Sequence, residues 1–232
     1  MDFTEWEPVY EQILRDFGFD RDEDRRARDV LAALLENKVT YDPARLDWRG
    51  QTVAIAGGAA TLIGESQIAQ SADVVVAASV AADRLEAEGV TVDCLVTDLD
   101  KNPETVRELT ANGVPVAVHA HGDNIPALET VVPTVDSEFV IPTTQTEPRA
   151  PVTNFGGFTD GDRAAFLAAS AGASRLVFPG WDFDDPTVSA EKARKLRWAE
   201  SLLYWLECRR GDRFAVLDGR RDSIDTAALP VE

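Results

Sequence analysis

From Thr52 onward the chain repeats one phrase: a short apolar run, a polar or glycine-containing break, then an amphipathic segment. The runs fall at residues 52–56, 73–78, 92–97, 114–119, 138–141 and 175–178. Each is too short for a helix and is rich in Val, Ile, Leu and Ala, as strands buried on both faces are. Strand and helix in alternation leave few topologies. The pattern predicts an α/β fold: a mostly parallel, Rossmann-like sheet with helices on both faces. A long helix is expected near residues 189–209 and a last strand at 213–217. Residues 142–158, polar and broken by Pro and Gly, read as an irregular loop where a lid or substrate loop would lie.

Residues 1–50 lie outside this rhythm. Trp6, Tyr10, Ile13, Leu14 and Phe17 recur at helical spacing, and Gly18 follows as a stop. Residues 22–35 form a second amphipathic helix with Val30, Leu31, Leu34 and Leu35 on its apolar side. The expectation is a small N-terminal helical cap on an α/β domain of residues 51–232.

Composition narrows the function. The net charge is −18, with 41 acids against 23 bases, which argues against a nucleic-acid surface. Only Lys38, Lys101, Lys192 and Lys195 are lysines. Acid excess with scarce lysine resembles adaptation to a high-salt cytoplasm, where screening removes most self-repulsion. No run approaches the roughly 18 apolar residues of a membrane span, and the first residues lack a signal peptide's pattern. Cys94 and Cys208 have no metal or redox spacing, and they read as reduced thiols of a cytoplasmic protein. Homo-oligomerisation is left open.

In open parallel sheets, ligands bind outside the carboxyl ends of the strands. That rule selects Gly57, Gly58, Asp98, Asp100, His121, Asp123, Thr144, Gln145 and Asp182. Gly57 and Gly58, with Thr61 after them, offer backbone N–H groups and a helix start to a phosphate; a plain tight turn is the competing reading. Asp98 and Asp100 are paired carboxylates at a strand end and suit a hard cation such as Mg²⁺; capping or solvated acids are the competing reading. His119 and His121, the only two histidines, fall on one face of an extended chain. They could hold zinc only with ligands from elsewhere. The better expectation is one buried imidazole and one facing phosphate or metal-bound water. Phe155 and Phe158 among glycines could clamp a planar heterocycle or plug the core. Lys192, Arg194 and Lys195 could bind phosphate or form ordinary ion pairs.

These stretches together resemble one family in order and spacing. They are residues 96–100 (Val-Thr-Asp-Leu-Asp), 119–124 (His-Ala-His-Gly-Asp-Asn), 143–145 (Thr-Thr-Gln), 154–163 (Asn-Phe-Gly-Gly-Phe-Thr-Asp-Gly-Asp-Arg), 180–183 (Gly-Trp-Asp-Phe) and 192–196 (Lys-Ala-Arg-Lys-Leu). The family is the archaeal 6-hydroxymethyl-7,8-dihydropterin pyrophosphokinases of the methanopterin-pathway type, whose catalytic domain is similar to that of thiamine pyrophosphokinase. The resemblance implies Mg²⁺-dependent transfer of diphosphate from ATP to the pterin's hydroxymethyl group, releasing AMP. It implies that Asp98, Asp100 and Asp123 hold Mg²⁺, and that Gly57, Gly58, Thr61, Lys192, Arg194 and Lys195 contact ATP. His121 would orient or deprotonate the attacking hydroxyl, with Lys192 neutralising phosphate. Thr144, Gln145, Asn154, Phe155, Asp160 and Asp162 would contact the pterin. Two stretches depart from the family pattern: the Gly-Gly-Ala-Ala turn at 57–60 and the apolar Ala-Ala-Ser-Val at 77–80.

Two other readings fit parts of the sequence. Asp98-Leu99-Asp100 mimics the nucleophile motif of a haloacid-dehalogenase-type phosphatase, although Asn102 stands where that motif has Thr. A non-catalytic nucleotide- or pterin-binding module is the other, kept open by the apolar 77–82 segment.

Overall fold

The computed structural model describes residues 1–231. Its strands are β1 (Thr52–Ala56), β2 (Val74–Ala78), β3 (Cys94–Thr97), β4 (Val116–Ala120), β5 (Val140–Thr144) and β6 (Arg175–Val177). Its α-helices are α1 (Phe3–Phe17), α2 (Arg21–Leu34), α3 (Leu62–Gln70), α4 (Ala81–Ala87), α5 (Pro103–Ala111), α6 (Ile125–Val131), α7 (Asp160–Ser170) and α8 (Ala190–Arg210). The strands form one sheet in the order β5-β4-β3-β2-β1-β6, and every pairing is parallel.

Successive strand residues feed two cores. Val53, Ile55, Val76, Val96 and Ile141 point into one with α1, α7 and α8. Ala54, Ala56, Ala77, Leu95 and Val118 point into the other with α2 to α6. From β1 to β5 the chain steps one way across the sheet, and β6 then returns to the far side of β1. Right-handed crossovers therefore place α3 to α6 on one face and send α7 to the other, where it lies over β1, β2 and β3. The reversal leaves a topological switch point between the ends of β1 and β6.

The N-terminal helices are seated on this body. Asp2 caps α1 by accepting from the Thr4 N–H (3.1 Å), and Gly18 ends it in the left-handed region (φ 71°). Asp20 caps α2 on the Asp22 N–H (2.9 Å). Trp6 stacks on Trp205 of α8 with ring centroids 6.3 Å apart. Ala27, Leu31 and Leu35 join the opposite core, where α2 lies against β4, β5 and α6.

Two elements differ from expectation. The fifth strand is shifted to Val140–Thr144, with residues 137–139 in a 3-10 turn. Pro142 is tolerated there because β5 is the edge strand; outside it the chain returns in a partial bridge through Thr153. Residues 213–217 are not a strand but lead into a 3-10 turn, Ala215–Leu217. The Phe214 N–H is taken by the Glu207 carboxylate and its ring packs 4.9 Å from that of Phe178. Side-chain burial and a local acceptor thus replace the ladder that a strand would need. No helix among the described residues is long and apolar enough to cross a membrane.

Candidate active site

Each strand ends in a turn that aims side chains into one cleft, and the turns follow from local sequence. After β3, Leu99 takes a left-handed backbone (φ 70°), its N–H held by Thr97 Oγ1 at 3.0 Å and its side chain only 3% exposed. Sinking the leucine leaves its neighbours, Asp98 and Asp100, lining the cleft. A strained, buried non-glycine turn of this kind is a frequent mark of a functional site. After β4, Asn124 donates to the carbonyls of His119 (2.7 Å) and Asp98 (2.8 Å) and accepts from the His121 N–H (3.0 Å). That one amide locks the β3 and β4 ends together.

The two histidines then divide. His119 is buried, with Nδ1 3.1 Å from Thr143 Oγ1. Burial, then the nearby Arg163 and His121, lower its pKa well below the ordinary value, so it is neutral. His121 lines the cleft with Nε2 3.3 Å from Asp98 Oδ2.

The electrostatics of the acids are mutual. Burial works against the charge on Asp98, but hydrogen bonds with His121 and Asp100, and the nearby Arg163, hold its carboxyl well below the usual range. Asp100 is pushed up, by burial first and then by Asp98. Asp160, at the start of α7, is pushed up to about 7 by burial and by Asp98, with Asp100 adding and Arg163 and His121 opposing. Against these acids stand Arg163, 3.2 Å from Asp160, Lys101, 3.7 Å from Asp100, and Lys192 and Lys195 at the start of α8. Desolvation of its ammonium lowers Lys192; Asp160 opposes this, and Lys101 and Lys195 add to it.

The cleft has two hollows that share Lys101, Thr159, Asp160 and Lys192. The acidic hollow adds Asp98, Asp100, His121, Asp123, Gln145 and the rings of Phe19 and Phe158. The second lies over the switch point and is lined by Gly57, Gly58, Ser79, Val80, Trp181 and Leu196. There the β1 and β6 loops touch: a Cβ on Gly57 would sit 2.4 Å from the Gly180 carbonyl oxygen. Trp181 donates its indole N–H to the Ile55 carbonyl (2.8 Å), which fixes one wall. Ser79 also has a left-handed backbone (φ 49°), and its buried hydroxyl has no partner among the described residues.

Of the residues singled out in the sequence, the cleft gathers Gly57, Gly58, Asp98, Asp100, His121, Asp123, Gln145, Asp160, Lys192 and Lys195. Asp123 is exposed and contributes at the rim. Phe158 lines the acidic hollow and Asp182 the second one. Thr61, Arg194, Thr144, Asn154, Phe155 and Asp162 lie elsewhere. Thr61 starts α3 with no side-chain capping bond. Arg194 lies over the Phe17 ring, 4.5 Å from its centroid, and bonds the Asp16 carbonyl. Thr144 is buried and bonds the Ala120 carbonyl. Asn154 ties its own loop to Thr146 and Gly156, and Phe155 packs on the core. Asp162 is fully buried and takes the N–H groups of Phe158 and Thr159, the reciprocal cap of α7. Arg163, Lys101 and Asp24 lacked a role in the sequence reading. For Arg163 the signal was present, since it ends the 154–163 motif.

Among the described residues, no three His, Cys, Asp or Glu side chains converge as a metal-binding group by themselves.

Comparison with known proteins follows the same residues. The family model described as "6-hydroxymethylpterin diphosphokinase MptE-like" matches residues 48–187, which include the β1 to β5 loops and the start of α7. A protein of Methanothermobacter thermautotrophicus named 6-hydroxymethyl-7,8-dihydropterin pyrophosphokinase is 37% identical, over 91% of this chain and 97% of its own length. Its namesake in Pyrococcus furiosus is 39% identical, over 89% of this chain and 95% of its own. That of Methanocaldococcus jannaschii is 33% identical, over 89% and 96%. The cleft at the strand ends and likeness along nearly the whole chain give one result: this chain belongs to the 6-hydroxymethylpterin diphosphokinase MptE-like family.

Proposed function

We propose that the chain transfers diphosphate from ATP to 6-hydroxymethyl-7,8-dihydropterin and releases AMP. The activity for which its relatives are named supports this reading. So does the cleft's division into a glycine-lined hollow at the switch point and an acidic hollow with two aromatic rings. The observation that carries it is their shared lining, Lys101, Thr159, Asp160 and Lys192, with Asp98 and Asp100 beside it in the acidic hollow. Such a lining suits a polyphosphate lying between two ligands.

Transfer of a diphosphoryl group asks little covalent chemistry of a protein; alignment and charge neutralisation dominate. The nucleotide is assigned to the Gly57-Gly58 hollow, with Lys192 and Lys195 on its phosphates. The pterin is assigned to the acidic hollow, between Phe19 and Phe158. The pterin hydroxyl oxygen attacks the β-phosphorus, the bond from the β-phosphorus to the α–β bridging oxygen breaks, and AMP leaves with that oxygen. The hydroxyl proton passes to His121, and the adjacent Asp98 carboxylate stabilises the imidazolium. Asp98 and Asp100 fit Mg²⁺: they are hard oxygen donors, and after burial it is Asp98 that raises both Asp100 and Asp160, a mark of crowded negative charge. Two protein ligands leave the remaining positions to water and phosphate, as Mg²⁺ prefers, with Asp123 in reach through water. When bound, the ion would neutralise charge on the transferred group.

In aspartyl-phosphate chemistry, the second reading of Asp98-Leu99-Asp100, the contact of His121 with Asp98 would have no part. The test is AMP formation that requires both the pterin and a divalent cation. Asp98→Asn should lower kcat about 100-fold or more, the scale expected for loss of one preorganised electrostatic group. Failure of the protein, in molar KCl, to turn over either the pterin or thiamine with ATP would remove the assignment.

A further inference from the structure

Asp24 is the only buried acid of α2, at 3% exposure. A carboxylate taken out of water is costly unless its oxygens are fully bonded, and here they are. Oδ1 accepts from the Gly122 N–H (2.8 Å), and Oδ2 from the Tyr10 hydroxyl (2.7 Å) and the Gln145 side-chain amide (2.8 Å). Two of these donors, Gly122 and Gln145, line the acidic hollow together with Asp24. Gly122 begins the turn after His121, whose Nε2 meets Asp98. Gln145 Oε1 accepts from the Arg163 guanidinium (3.0 Å), and Arg163 pairs with Asp160. The Gln145 carbonyl is held in turn by the Trp6 indole (2.8 Å). The helix itself abuts the turn, since a Cβ on Gly122 would lie 2.8 Å from Glu23 Cβ.

We propose that Asp24 is a positioning residue of the reaction centre. It brackets the His121–Asp98 wall and the Arg163–Asp160 wall from the N-terminal helices, outside the residues that the family model matches. The proposal rests on the cleft assigned above. It explains why a charge is kept at this buried position. An Asn side chain has one acceptor and one donor end, so it can serve Gly122 or the Gln145 and Tyr10 pair, but not both. Loss of the charge therefore breaks an arm.

The test compares Asp24→Asn with Ala27→Gly in the full-length protein. Ala27 is fully buried on the same helix and belongs to the apolar core. Its change to glycine loosens α2 without touching the network. Asp24→Asn should lower kcat about tenfold or more, as misplacement of reacting groups does, with the KM for ATP unchanged. Ala27→Gly should lower the melting temperature and leave kcat within about twofold. Gln145→Leu, which severs one arm while leaving the Asp24 charge, should reproduce the kcat loss if Asp24→Asn does not fold. Its effect combined with Asp24→Asn should be less than multiplicative. A second readout needs no turnover. The chain has only two histidines, so imidazole NMR signals are site-specific, with His121 identified by a His121→Asn variant. Asp24→Asn should move the His121 signals and Ala27→Gly should not. Unmoved His121 signals in Asp24→Asn, or a kcat loss no greater than that of Ala27→Gly, would overturn the proposal. Absence of pterin-dependent AMP formation in the parent would instead remove the functional reading, and the NMR comparison would still decide the positioning role.

Discussion

Asp160 is where the free protein gives up stability to keep its cleft charged. Its side chain is 16% exposed, and after burial Asp98 and Asp100 raise it, with Arg163 and His121 opposing. An acid raised in the folded state holds its proton where the unfolded chain has lost it. Its contribution is therefore fully present below the unfolded value and is lost as pH rises through the folded value, about 7. In EDTA, Asp160→Asn should raise the melting temperature at pH 8 relative to the parent, with the gap closing toward pH 4. A gap that stays constant with pH would mean that burial and the Asp98 field do not act on Asp160 as described. The same variant should lose activity, the usual exchange at a strained site. At this scale the sequence was legible where a strand end did the sorting. Asp98, Asp100 and His121 stood out among 41 acidic residues and two histidines because apolar runs led into them. Asp24 did not, because it sits in the charged run Arg21–Asp-Glu-Asp-Arg-Arg26 and only docking of α2 separates it from its exposed neighbours. Asp162 was misleading for the opposite reason: a motif residue that looked ligand-facing spends both oxygens capping α7.

Among the elements, the β1 and β6 loops decide whether the second hollow exists at all. Gly57 has an ordinary backbone, so its need for glycine is one of space, not of conformation. Its absent Cβ would fall 2.4 Å from the Gly180 carbonyl oxygen, a backbone atom that cannot swing away. At Gly58 the nearest atom is the Val80 side chain at 3.2 Å, which can yield slightly. Gly57→Ala should therefore cost about 1–3 kcal/mol, as overpacking does, and raise the KM for ATP, whereas Gly58→Ala should be the milder of the two. Denaturant melts and ATP saturation curves measure both; equal stability of Gly57→Ala and the parent would show that the loops part without penalty. The strand–helix rhythm made most elements readable, because strands buried on both faces are recorded as apolar runs. It failed at residues 213–217 and shifted the fifth strand. In both places the outcome turned on a partner distant in sequence or on a local acceptor, Glu207 for Phe214 and Thr153 for β5. The order of the strands was not written in any run, yet it sets the switch point.

The molecule as a whole carries −18, and this field acts on every part of the fold. Many of its basic side chains are already paired, such as Arg21 with Glu7 and Glu11 and Arg221 with Glu207. With 41 acids against 23 bases, the acids cannot all be paired one to one. Added salt then has two opposing effects: it weakens exposed pairs, each worth about 0–1 kcal/mol, and it screens repulsion among the surplus acids. The Debye length falls from about 10 Å at 0.1 M to about 3 Å at 1 M, which removes nearly all repulsion between non-adjacent surface charges. Pairs in contact, at about 3 Å, are screened less than the longer-range repulsion. Relief of repulsion should win, and the melting temperature should climb steadily between 0.1 and 1 M KCl. Potassium chloride is the informative salt, because sulfate or phosphate would also strengthen apolar burial. The climb should be reproduced in part at low salt by replacing exposed acids such as Glu36 and Glu88 with Gln, which reduces the charge without removing an arm of the cleft. A melting temperature that is flat or falling with KCl would assign the acid excess no role in stability. It would leave the high-salt reading of the composition without physical support.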